Sequence, residues 1–112
     1  MLIVTAGIYA QTPQKMSYQA VVRNTNGELI SNSLVGMKIS ILQGTITGTA
    51  VYTETTTVGT NINGLISIEI GGGAGFDAID WAEGPYFLKT EVDPHGGTDY
   101  TILGTSQLLV VP

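Results

Sequence analysis

Two Asn-Gly dipeptides set among alternating apolar and polar residues constrain the fold of this chain more than any other feature. Asn and Gly supply the positive φ that tight turns need, and a period of two sends successive side chains to opposite faces of a strand. Before Asn26-Gly27, the run Met16 to Arg23 places Met16, Tyr18, Ala20 and Val22 on one face. After Asn63-Gly64, the run Leu65 to Ile70 does the same with Ile66, Ile68 and Ile70. A chain written this way buries its apolar groups by pairing strands.

Further runs follow the same rule. Val35, Met37, Ile39 and Ile41 alternate with Gly36, Lys38, Ser40 and Leu42, which predicts a strand with one wholly apolar face. Val51 to Thr57 is rich in Thr and poor in large apolar groups, which predicts an edge strand. Tyr86 to Val92 predicts a strand with Tyr86, Leu88, Thr90 and Val92 inward, and Tyr100 to Val111 a last long strand with a bulge at Gly104. Glu28 to Ile30 reads as a short strand or arm after the first turn. Gly71 to Gly75 reads as a loop, and the spacing of Phe76, Ile79 and Ala82 predicts a helical turn near residues 76–81 that plugs one end. The expected fold is all-β, an antiparallel two-sheet sandwich of about seven strands in a single domain spanning residues 11–112.

With 112 residues the chain has room for one hydrophobic core. Nine acidic against four basic residues leave a net charge of −5. Lys15, Arg23, Lys38 and Lys89 stand singly, so no basic stripe is available to neutralise nucleic-acid phosphates or an anionic membrane. The absence of cysteine excludes disulfides, thiolate metal sites and a cysteine nucleophile. Residues 2–10 form an apolar run ending at a small residue, Ala10, ahead of polar Gln11 to Lys15. That is far short of the about 20 residues of a membrane-spanning helix. It fits the apolar part of a signal peptide, which runs about 7 to 15 residues before its cleavage point, although no basic residue precedes it. Residues 1–10 are therefore read as a signal-peptide remnant cleaved after Ala10, with an amino-terminal edge strand as the alternative.

Few residues carry chemistry. His95 is the only histidine, so it cannot build a multi-histidine zinc site, and Asp93-Pro94-His95-Gly96-Gly97 reads as an exposed turn unsuited to holding a general base. Asp77, Asp80, Glu83, Asp93 and Asp99 lie in two loops flanking the Tyr86 strand; hard oxygen ligands from neighbouring loops would suit Ca²⁺, the one metal weighed, with Asp77, Asp80, Asp93 and Asp99 as its ligands. The spacing matches no EF-hand, and a solvated acidic surface is the plainer reading. Trp81, Tyr86, Phe87 and Tyr100 could form an aromatic platform for sugar rings, for which Trp81, Phe87 and Tyr100 are the candidate contacts, or else fill the core. Gly71 to Gly75 lacks the Lys-Ser/Thr of a phosphate-binding loop.

Several blocks occur in order: Ser17 to Asn24, Asn63-Gly64-Leu65, Ile79-Asp80-Trp81, Gly84 to Lys89, and Gly104 to Leu109. Together they resemble an amino-terminal β domain of secreted or surface proteins from bacteria that use the type IX secretion route. The resemblance covers about residues 11–112. The Asn-Gly turn before an alternating strand, with a Gly-Pro-Tyr strand after it, is also similar to transthyretin-like and carboxypeptidase-regulatory sandwiches. The resemblance implies export and no reaction. The expected role is a non-enzymatic structural or adhesive module, secreted or at the cell surface, that self-associates or binds a protein, with a carbohydrate-binding module as the alternative and no cofactor. Intact mass spectrometry of protein recovered from culture fluid is expected to find a chain beginning at Gln11; an uncleaved intracellular chain contradicts the signal reading.

Overall fold

The computed structural model describes residues 15–108. The signal-peptide reading of residues 1–10 and the end of the last strand, 109–111, lie outside that range. Six strands form in order: β1 Met16–Val21, β2 Leu34–Gln43, β3 Thr49–Gly59, β4 Leu65–Ile70, β5 Tyr86–Asp93 and β6 Ile102–Leu108. Two 3-10 turns, Phe76–Ala78 and Trp81–Glu83, stand between β4 and β5. All pairings are antiparallel. β1 and β4 make a two-stranded sheet, and the other four strands a sheet of order β3-β2-β5-β6. The core lies between them.

The alternation read from the sequence is realised strand by strand. On β2, Val35, Met37, Ile39 and Ile41 are at most 1% exposed. They meet Met16 from β1, Ile66 and Ile70 from β4, Tyr52 from β3, and Tyr86, Leu88 and Val92 from β5. Phe76 and Ile79 close one end of the core, as expected of a helical plug, while Ala82 stays exposed. The outward face of β2 is crossed at Gly36. A Cβ on Gly36 would sit 2.0 Å from the Gly97 carbonyl oxygen, because the turn after β5 folds across this strand, so only glycine fits there.

Two expectations are refined. Of strand and arm, Glu28 to Ile30 forms the arm and no strand; a lone bridge joins Arg23 and Leu29. The physical reason is the Asn24 side chain, whose Oδ1 accepts the Asn26 and Glu28 N–H groups at 2.9 Å each, holding this stretch as a tight loop. Asn61 repeats the device with the N–H groups of Asn63 and Leu65, at 2.8 and 3.0 Å. The two loops clasp each other through Val22 N–H on the Gly64 carbonyl, 2.8 Å, and Ser31 Oγ on the Ile62 carbonyl, 2.8 Å. Nor does Gly104 form a bulge. It pairs directly with Thr90 in a β5–β6 register that runs unshifted from Tyr86/Leu108 to Val92/Ile102. The irregularity falls between Ile41 and Leu42, where β3 inserts Val51.

Truncating the middle of β2 removes packing on both sheets at once. Ile39→Ala is expected to lower unfolding stability by about 2–5 kcal/mol in urea titrations, whereas exposed Thr55→Ala on β3 stays within about 0.5 kcal/mol.

Candidate interaction surface

At the end of the core where β5 begins, four rings meet edge to face. Tyr52 contacts Phe76 (5.2 Å between centroids), Phe76 contacts Trp81 (5.8 Å), and Trp81 contacts Tyr86 (5.3 Å). This arrangement pairs ring edges with ring faces and locks the loop of residues 71–85 onto the sandwich. Tyr52 Oη donates to Glu54 and accepts the Gly73 N–H at 2.8 Å, while Glu54 also accepts the Gly71 N–H at 2.8 Å. Burial, reinforced by the Glu54 carboxylate, pushes the Tyr52 hydroxyl up to about 12. Tyr86 donates to the Asp80 carbonyl, and its hydroxyl is raised first by burial and then by Asp80 and Glu83. Beside these rings lies a shallow pocket of about 250 Å³ lined by Gln43, Val51, Asp80, Glu83 and Tyr86, among others.

The three proposed sugar contacts do not share one surface. Trp81 is half-buried in the ring cluster, and its Nε1 is buried without a hydrogen-bond partner among the described residues. Phe87 lies on the opposite face of β5 from Tyr86. Tyr100 stands beyond the far end of that strand, about 23 Å away at 3.3 Å per residue. The same separation divides the proposed calcium ligands, with Asp77 and Asp80 at one end and Asp93 and Asp99 at the other. Among the described residues, no group of three or more His, Cys, Asp or Glu side chains is placed to hold a metal. Asp93 instead holds backbone. Its Oδ1 accepts the His95 N–H at 2.9 Å and its Oδ2 the Asp99 N–H at 3.0 Å, so the buried carboxylate clasps the turn over β2. The His95 amide, followed by those of Asp99 and Gly97, holds this carboxyl below its ordinary value of 3.8. His95 itself is exposed on that turn.

No local pattern in the residues announces the feature on the remaining side. Two strands cannot cover four, and a cleft of about 180 Å³ opens between β1 and the β5–β6 half of the larger sheet. Tyr18, Ala20 and Val22 form its roof, Met37, Thr90 and Val92 its floor. Val21 and Leu103, 50% and 65% exposed, are lips at its mouth. Along the cleft the outer edges of β1 and β6 have no strand partner among the described residues.

Residues 17–105 match the model of the family described as Domain of unknown function (DUF8740). The chain belongs to that family. No curated protein and no solved structure matches it. In this DUF8740 domain the match runs from β1 into β6, so both sheets and both edges of the cleft fall within the shared unit.

The Asp93 clasp has a signed pH dependence. A carboxyl whose folded-state value is depressed contributes stability above its unfolded value, here 3.8, and loses it as pH falls through the folded value. Wild type is therefore expected to lose stability steadily below about pH 4, while Asp93→Asn, less stable at pH 7, shows a flatter profile in denaturant titrations across the same range. The Tyr52 hydroxyl is raised, so its contribution is present below its ordinary value of 10.0 and is lost as pH climbs towards about 12. Absorbance titration of tyrosinate is expected to lose its latest step in Tyr52→Phe.

Proposed function

We propose that this domain is a non-catalytic interaction module of an exported or cell-surface protein, and that it binds by accepting an extended segment along the free edge of β6. The observation that carries this reading is the side of the sandwich where, among the described residues, a strand edge without a partner borders an apolar cleft. An added strand would satisfy the outward N–H and C=O groups of β6, and its alternate side chains would reach the cleft beneath β1. Main-chain hydrogen bonds then supply affinity and the cleft supplies selectivity. Gly104, at mid-strand, carries no side chain to obstruct the approach.

Export rests on the apolar run of residues 2–10 and on the resemblance to secreted bacterial β domains. The non-catalytic character is supported by the position of His95 on an exposed turn and by the use of the Asp93 carboxylate as a backbone clasp. A glycan platform draws less support, since the rings of Trp81 and Tyr86 are engaged with each other.

The test is amide hydrogen exchange on the full chain, titrated with an acetylated octapeptide of alternating Thr and Val. Exchange along β6 is expected to slow saturably while that along β3 is unchanged, and Leu103→Asp is expected to weaken the effect at least about fivefold by placing a charge at the mouth. Protection on β3 instead, or none anywhere, contradicts the reading.

A further inference from the structure

We infer that the segment received by β6 is β6 of a second copy of this chain, paired antiparallel about a two-fold axis at Thr105. The inference rests on the strand-addition reading above and adds the identity of the partner. It follows from comparing the sheet edges. Natural edge strands are guarded by charges, prolines or bulges that spoil pairing with another chain. β3 has a bulge at Val51 and the half-buried carboxylate of Glu54. The free edge of β1 is flanked by exposed Lys15 and Arg23. β6 has none of these. Its residues, Ile-Leu-Gly-Thr-Ser-Gln-Leu, include no charge and no proline, and its register is unshifted throughout.

The surroundings of β6 fit a copy of itself. On the neighbouring strand, Lys89 and Glu91 oppose Thr105 and Leu103 and pair with each other at 3.9 Å, so neither stands alone beside the edge, and Arg23 across the cleft donates to the Gly27 carbonyl at 2.9 Å. A chain of net charge −5 that keeps the residues of this strand neutral can bring two copies together there without setting like charges against each other. Centred on Thr105, the register sets Leu103 opposite Gln107 and Gly104 opposite Ser106 of the second copy, and two four-stranded sheets become one of eight. Leu103, 65% exposed in the single chain, comes under cover. A two-fold pairing uses both β6 edges, so the assembly closes as a dimer, and the outer edges of the joined eight-stranded sheet are the guarded β3 strands.

The chain has no cysteine, so Thr105→Cys introduces a single thiol. Directly opposed residues of an antiparallel pair lie on the same face within about 5.5 Å, close enough for a short bismaleimide to join them. The full chain is expected to sediment as a concentration-dependent dimer. Thr105→Cys should crosslink to a dimer, Thr55→Cys on β3 should remain monomeric, and Thr105→Asp should weaken dimerisation about fivefold by opposing two carboxylates. A chain that stays monomeric at high concentration, with no crosslink at position 105, overturns the inference. If the Thr-Val octapeptide still protects β6 in that sample, strand addition stands and only the partner is wrong; if it does not, both fall.

Discussion

The placement of β2 is the constraint on which the rest of the structure depends. It is hydrogen-bonded on both edges, to β3 and β5, buried by the core on one face, and crossed at Gly36 on the other by the turn of residues 94–99. Val35, Met37, Ile39 and Ile41 therefore lose nearly all contact with water, which at roughly 1.5–3 kcal/mol per side chain makes this one strand the largest single source of apolar stabilisation. The turn that crosses its outer face at Gly36 exists because that glycine leaves room for it and because the Asp93 carboxylate ties up its amides. Packing and polar satisfaction converge on the same strand.

From that centre the two ends of the sandwich are closed by different physics. At one end two isostructural Asn loops exchange backbone hydrogen bonds, each asparagine side chain fixing its own turn by accepting two backbone amides. At the other end four aromatic rings in edge-to-face contact hold a glycine-rich loop that could not order itself. Gly73 belongs to this second closure, since a Cβ there would lie 2.6 Å from the Tyr52 hydroxyl. Neither device reaches the side between β1 and β6, and among the described residues that is where the sandwich stays open.

Much of the architecture is legible in the residues. Period-two alternation identifies β1, β2, β4 and β5 and their inward faces, and the Thr-rich run at 51–57 does lie at a sheet edge. Phe76 and Ile79 form the plug that their spacing predicts. The departures share one cause, because side-chain-to-backbone hydrogen bonds and close backbone contacts have no periodic signature. Glu28 to Ile30 has strand composition, yet Asn24 bends it into a loop; Gly104 suggests a bulge, whereas it is a small residue opposite Thr90 in a regular ladder. The site is less legible still. Trp81, Phe87 and Tyr100, like the acidic residues, cluster along the chain within twenty-odd positions, but an extended strand of eight residues carries its two ends far apart.

What the sequence determined by itself is the alternation of apolar groups, the placement of turns and the absence of charge along β6, because each depends only on neighbouring residues. Which strands pair, and that a sheet of two would face a sheet of four, was decided by the tertiary structure. Strand order depends on contacts between residues distant along the chain, whose cost in loop closure is offset only when the whole core assembles. The open cleft is a consequence of that count, and no local pattern encodes it.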